Sequence, residues 1–368
     1  MGAVTIFLCG DVMTGRGVDQ ILPHAGDSRL HEEYVKDARQ YVQLAEAVSG
    51  PVPRPVSFSY IWGDALEELA HVAPQARVVN LETSITSSND YWPYKGIHYR
   101  MHPDNVACLE AAGIDVCALA NNHVLDFGEA GLLETIDTLA EAGLTSAGAG
   151  RTLTEAREPA TVEVPGEGRL LVFASGDESS GIPSGWAAAR DRPGIDVLPD
   201  LSEETVRGVL ERVGRVKRAR DIVVASIHWG TNWGYQVPAP QQRFARQLLD
   251  GGVDIVHGHS SHHTRPIELH RGKLILYGCG DFLDDYEGIV GHEEFRDDLA
   301  LMYFPTVDAE SGRLVSLRMT PMQIRKLRLT RARAADAEWL ARTLARVSGP
   351  FGTRIQLGTD GTLVLRAD

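Results

Sequence analysis

Short apolar runs rich in Val, Ile and Leu recur at residues 3–9, 77–81, 115–120, 170–175, 222–228 and 254–257, each of a length that suits one buried strand. Between them, apolar residues return at helical spacing over 30–48, 62–72, 103–112, 129–142, 202–219 and 240–250. Gly113, Gly143 and Gly251 follow the last periodic residue of three of these segments, a common way for a helix to stop. The alternation predicts an α/β layered fold with a central sheet covered by helices. In the last third the rhythm changes. Residues 266–269, 273–277, 300–304, 314–321 and 322–329 read as consecutive strands, which predicts a second, more antiparallel sheet. A helix over 334–347 and a hairpin about Asp360-Gly361 close the chain. Two long connections remain, 84–100 and 176–199, and long connections in compact domains are often functional. The first carries Asn89, Asp90, Tyr91, Trp92, Tyr94, Lys95, Tyr99 and Arg100.

Composition narrows the function classes. The 368 residues are 43% hydrophobic with a net charge of −14, which supports a sizeable core and argues against nucleic-acid or anionic-membrane partners. The cations within 213–220 fall on an expected surface helix and read as a solvated face. Cys9, Cys108, Cys117 and Cys279 form no C-x-x-C pair and read as buried small hydrophobes of a reducing compartment. Neither a leader-like segment nor a run of membrane-spanning length stands out, so a cytoplasmic location is expected.

Chemistry gathers where the strands end. Asp11 follows the first strand, Asn80-Leu81-Glu82 closes the second, and Asn121-Asn122-His123 follows the third, with Asp126 beyond. A later strand ends at His228-Trp229-Gly230, and the next delivers four histidines within seven residues: His257, His259, His262 and His263. Taken singly, Asp11 is a turn or cap residue, Asn121-Asn122 is turn chemistry, and His228 is a satisfied core histidine. An α/β sheet brings all of these strand ends to one edge, where ligands bind. Carboxylate, amide oxygen and imidazole together suit one or two divalent ions, with no organic cofactor, and Mn, Fe, Zn, Mg and Ca are not distinguished.

These motifs resemble a known family. Gly10-Asp11-Val12-Met13-Thr14-Gly15-Arg16, Asn80-Leu81-Glu82, Asn122-His123 with Asp126-Phe127-Gly128, His228-Trp229-Gly230 with Gln241, and Gly258-His259-Ser260-Ser261-His262 look like the CapA (poly-γ-glutamate capsule synthesis, PGA_cap) family, over roughly residues 3–305. The resemblance implies a calcineurin-like metallophosphoesterase fold, a four-layer α/β/β/α sandwich. A domain over 1–330 is expected, with residues 331–368 as a helix and hairpin packed on it. It also implies that Asp11 and His262 hold one metal, that Asn122, His228 and His259 hold another, and that Glu82 bridges. His123 would then be the general acid or charge stabiliser, oriented by Asp126. Two departures matter. Metallophosphoesterases usually carry Asp-x-His at the first motif, where this chain has Met13, and two residues rather than one separate His259 from His262.

A metal pair beside a histidine activates water for phosphoester or amide hydrolysis, or it stabilises the enolate left when a Cα proton departs. The second chemistry needs an acid and a base on opposite faces, and Asp11 and His292 are the candidates. CapA-like proteins are also similar to peptide epimerases of lasso-peptide biosynthesis, which act on a C-terminal tryptophan. That resemblance implies a peptide substrate, met by Trp92, Tyr94, Trp229, Trp233 and Arg100, with Tyr91 and Tyr235 nearby. The leading expectation is therefore cofactor-free Cα epimerisation of a ribosomal peptide. A phosphoesterase or γ-glutamyl amide hydrolase using His123, and a non-catalytic peptide-binding member, are the alternatives.

Overall fold

The computed structural model describes residues 2–366, so Met1 and residues 367–368, the outer ends of the two expected units, lie outside the described residues. Strand β1 (Ala3–Val12) pairs in parallel with β2 (Ala76–Leu81), β2 with β3 (Val116–Ala118), and β3 with β4 (Thr145–Ala147). The chain then builds a second sheet. β5 (Ala160–Val164) returns against the beginning of β6 (Gly168–Asp177), and β7 (Val197–Leu198) lies parallel to the end of β6 on the same edge. β8 (Ile222–His228), β9 (Ile255–His259), β10 (Ile267–His270) and β11 (Lys273–Leu276) complete it, in the order β7-β6-β8-β9-β11-β10.

The chain next returns to the first sheet. β12 (Asp281–Leu283) lies parallel to the end of β1, while β13 (Leu299–Asp308) runs antiparallel to its beginning on the same edge. β14 (Leu314–Ile324) extends the sheet, followed by β15 (Leu329–Arg331) and the hairpin of β16 (Arg354–Leu357) and β17 (Leu363–Arg366). The protein is thus a mixed α/β fold with two mixed sheets.

Side-chain alternation explains the stacking. Leu170, Val172 and Ala174 of β6, Val224 of β8 and Ile255 of β9 share one core with residues of the first sheet. Their neighbours Leu171, Phe173, Val223, Ala225, Ile227 and Val256 point the other way, onto two helices. Those helices are Glu203–Val216 and Ala239–Asp250. The first buries Val206, Val209 and Val213 at helical spacing, and Ser202 Oγ caps it by accepting from Thr205 N at 3.3 Å. It stops short of the expected residue 219 because Lys217 turns extended and reaches Gly252 O and Asp254, at 2.7 and 2.6 Å.

Three expectations need correction. The helix expected over 30–48 spans only Arg39–Ser49, because buried Glu32 is drawn to Arg16 at 2.9 Å and a local turn replaces helix there. The late strands form no sheet of their own: β10 and β11 join the second sheet and β13 and β14 the first. The runs 314–321 and 322–329 belong largely to one continuous strand, β14, which the long antiparallel pairing with β13 sustains. All four cysteines are free and buried. Among the described residues, no helix is long and apolar enough to cross a membrane.

Candidate metal centre

Parallel pairing sets the site. Asp11 stands opposite Asn80 on one side of β1 and opposite Asp281 on the other, and His228 stands opposite His259 at the ends of β8 and β9. The stacked sheets thereby bring one ligand atom each of Asp11, His228 and His259 within 4.8 Å of one another, all buried.

Hydrogen bonds fix how these groups present themselves. His257 Nε2–H donates to the Cys9 carbonyl at 2.7 Å, so its Nδ1 accepts from Ser226 Oγ at 3.1 Å. Ser226 Oγ then accepts from His259 Nε2–H at 2.9 Å, which leaves His259 Nδ1 with a lone pair. His228 Nδ1 lies 2.8 Å from His259 Nδ1, and its Nε2 lies 3.1 Å from Asn122 Oδ1. Burial holds both rings well below the usual imidazole range, so both are neutral.

Carboxylates complete the site. Asp11 Oδ1 accepts from Asn80 Nδ2 at 2.7 Å, and its Oδ2 accepts from Ser260 N at 3.1 Å. Ser260 adopts φ of 96°, a conformation an L-residue rarely takes, at the point where the His259–His262 spacing is stretched. Burial and the neighbouring Asp281 push the Asp11 carboxyl up to about 7, and burial and Asp11 push Glu82 well above its ordinary value. Glu82 Oε1 lies 4.0 Å from His228 Nε2 and 3.7 Å from His123 Nε2. Two neutral imidazoles converging on a buried carboxylate, with a second carboxylate near, are the nitrogen and oxygen donors a divalent metal takes, so this set fits one. Asn122, expected as a further ligand, holds its Oδ1 3.1 Å from His228 Nε2 at the edge of this group.

His123 forms a second feature. Its Nδ1 lies 2.6 Å from Asp126 Oδ2 and 2.8 Å from Lys95 Nζ, and Lys95 also pairs with Asp126 Oδ1. Tyr99 N donates to the same Asp126 Oδ2 at 2.7 Å. Burial, then Lys95, holds His123 well below the imidazole range. The Asn121 side chain builds this corner by accepting from His123 N and Val124 N, at 3.1 and 3.0 Å.

His262 stands apart from the close group. Its Nδ1 meets Asp281 Oδ1 at 2.9 Å, and its Nε2 lies 2.9 Å from the Asn232 amide nitrogen. Sequence reasoning passed over Asp281, whose place beside Asp11 depends on β12 pairing with β1; the Gly280-Asp281-Phe282 run was the available signal. Met13, where the resemblance expects an imidazole, is buried and accepts a hydrogen bond from Tyr286 Oη at 3.6 Å.

The expected substrate residues scatter. Trp229 is fully buried, donates from Nε1 to Tyr277 O at 3.1 Å and packs against Phe244, so it is a core residue; β8 feeds it directly beneath Ala239–Asp250. Arg100 ties the long loop together through Ser88 O, Asn89 Oδ1 and Asp27 O, at 2.7, 2.9 and 2.9 Å. Trp92 is half-buried and packs edge-on against buried Trp186, while Tyr94 is fully exposed. His292 is exposed and lies flat on Trp233 with centroids 3.8 Å apart, and Trp233 in turn leans on His262 at 5.3 Å. Of the aromatic candidates, Trp233 and Trp92 stand beside the site's histidine–aspartate pairs: Trp92 N donates to Asp126 O at 2.8 Å.

The chain is similar to known proteins over most of its length. The model of the bacterial capsule synthesis protein PGA_cap family matches residues 5–286. A protein of Mycobacterium tuberculosis named as a probable polyglutamine synthesis accessory protein is 51% identical over 361 residues, covering 98% of this chain and 95% of its own length. The PGA biosynthesis protein CapA of Bacillus subtilis is 28% identical over 80% of this chain and 66% of its own. The capsule biosynthesis protein CapA of Bacillus anthracis is 26% identical over 77% of this chain and 60% of its own. None of these three is named as a lasso-peptide epimerase.

Proposed function

The chain belongs to the bacterial capsule synthesis PGA_cap family, and on that footing we propose that it is a metal-dependent enzyme acting on the amide backbone of a polyglutamyl or polyglutaminyl chain. The observation that carries this reading is the close buried group of Asp11, His228 and His259 with a poised His123–Asp126 pair 3.7 Å from Glu82. Asp11, His228 and His259 would hold a divalent ion, which when bound would supply Lewis-acid polarisation of a carbonyl oxygen.

The protein's own residues handle the rest. Asp126 and Lys95 fix the His123 ring from its Nδ1 side, so Nε2 is the atom that would take a proton from the attacking water and hand it to the departing amine as the C–N bond breaks. Lys95 and Tyr99 N together satisfy Asp126, so that carboxylate stays in place as His123 changes its proton. Trp92 N donates to Asp126 O at 2.8 Å while its ring packs edge-on against Trp186, which ties the long loop to this corner.

A second reading, Cα epimerisation of a C-terminal aromatic residue of a lasso-type peptide, is favoured by the Trp233–His292 stack beside His262. One experiment separates the two. The metal-loaded protein is incubated in D2O with oligo-γ-glutamate, oligoglutamine and a Trp-terminated peptide. Amine release without Cα deuterium supports hydrolysis, and Cα deuterium without cleavage supports epimerisation. Neither change, with metal bound, overturns both.

A further inference from the structure

Four aspartates, Asp281, Asp284, Asp285 and Asp297, crowd one another beside His262, and only two of them have a basic partner. Asp285 accepts from Arg16 Nε at 3.1 Å, and Asp281 meets His262 Nδ1 at 2.9 Å. Asp284 is 2% exposed; its Oδ1 accepts from Tyr286 N at 2.8 Å, but its Oδ2 has no partner. Asp297 is half-buried, and among the described residues no Lys, Arg or His nitrogen lies within 4.0 Å of either carboxylate. A buried acid left without a partner is costly.

Both of these aspartates line one cavity of about 460 Å³, within the range of small-molecule sites, about 300–1,000 Å³. Other charges in its wall are already spent. Arg296 closes on Asp298 and Asp336, at 2.6 and 2.9 Å, while Glu287 accepts from Ser49 Oγ and Lys326 N. Arg325 and Arg333 also line the cavity; both are exposed, and among the described residues neither has a carboxylate within 4.0 Å. A bare metal ion does not suit this wall. Among the described residues, Asp11, His228 and His259 are the one group of three such ligands whose atoms lie within 4.8 Å of one another. Free carboxylates at the buried end and free guanidiniums at the open end instead match a short ligand that carries both an ammonium and a carboxylate.

We propose that this cavity binds a glutamyl α-amino-acid unit, its ammonium on Asp284 Oδ2 and Asp297 and its carboxylate toward Arg325 and Arg333. Free glutamate carries both groups. So does the amino-terminal residue of a γ-linked glutamyl chain, because its α-carboxylate takes no part in the linkage. An α-linked chain does not keep that carboxylate. The charge pattern carries the α-amino-acid unit by itself; naming glutamate rests on the function proposed above.

Calorimetric titration of the full chain as purified tests the site. The probes are L-alanine, L-glutamate, a γ-linked glutamate tripeptide and its N-acetyl form, with each tripeptide recovered and checked for cleavage so that binding and turnover are read apart. The free tripeptide is expected to bind about tenfold or more tighter than the acetylated one, the usual scale for losing a hydrogen bond to a charged group. Asp284→Asn, which keeps an acceptor for Tyr286 N, should weaken it by a similar factor. Asp297→Asn, at a half-buried position, should do the same and serves if the first variant does not fold. Glutamate bound as tightly as the tripeptide makes the free amino acid the ligand, and tighter binding of the tripeptide makes it the chain end. Alanine bound in place of both glutamyl probes would keep the site and remove glutamate from it. Equal binding of the free and acetylated tripeptides, or binding of no probe, overturns the proposal.

Discussion

His228 and His259 meet through their Nδ1 atoms 2.8 Å apart, with the His259 Nε2–H spent on Ser226 Oγ and His228 Nε2 3.1 Å from Asn122 Oδ1. Two neutral imidazoles this close, beside buried Asp11, form a donor set for a cation. Removing either ring should therefore empty the centre. His259→Ala or His228→Ala is expected to abolish stoichiometric divalent metal in the purified protein, read by elemental analysis. Full metal content in either variant would place the metal elsewhere.

Ser226 tests the arrangement from one step further out. Its hydroxyl accepts the His259 Nε2 proton and so keeps Nδ1 free. Ser226→Ala should weaken metal affinity by about 10–100-fold, the usual cost of losing a group that orients a ligand. Calorimetric titration of the chelated protein checks it, and an affinity within threefold of wild type would show that Ser226 does not set the tautomer.

His123 and Asp126 are expected to act on rate and not on metal binding. His123→Asn and Asp126→Asn should each lower kcat by about 10²–10⁴-fold while leaving metal content intact. Loss of metal in parallel with rate would move His123 into the ligand set.

His292 discriminates between the two chemistries. Exposed and stacked on Trp233, it is remote from amide cleavage but needed by a two-base epimerisation. His292→Asn should leave amide hydrolysis within about threefold of wild type, far less than loss of a general acid or base costs, and should abolish Cα deuterium exchange if exchange is the reaction.

Away from the site, Glu68 tests an acid-sensitive contact. Burial raises its carboxyl, but the Thr320 hydroxyl (2.7 Å) and the Arg331 and Arg318 guanidiniums outweigh that and hold it below its ordinary 4.5. A folded value below the unfolded one means the stabilisation is present above pH 4.5 and lost as pH falls through the folded value. Glu68→Gln should cost about 1 kcal/mol at pH 7 and clearly less at pH 3. Equal costs by denaturant unfolding at both pH values would deny the ionised contact.

Local pattern carried much of this site into view. Asp11, His228 and His259 were readable because each ends an apolar run, and a sheet edge gathers strand ends without further information. Asp281 was not, because its nearness to Asp11 arises from β12 pairing with β1 across 270 positions of sequence, which no local spacing records. Trp229 misled for a related reason. An aromatic after a strand-end histidine reads as lining, but the turn at Gly230 drives the indole back under the helix Ala239–Asp250. Trp229→Ala should accordingly cost about 3–5 kcal/mol of stability by denaturant unfolding, as other buried aromatics do. If Trp229→Phe instead raised KM tenfold at unchanged stability, the indole would belong to the substrate. The last-third strands were legible as strands and not as sheet members, since pattern gives period but not partner.

His257 joins what these substitutions would take apart. Its ring spans from the Cys9 carbonyl in the first sheet to Ser226 in the second, and Ser226 carries the contact on to His259. The seam between the sheets and the tautomer of a metal-facing ring are therefore a single cooperative unit. Amide protons of β1 and β9 should exchange with solvent together, in one opening event, and the arriving ion meets a shell already preorganised by the act of folding.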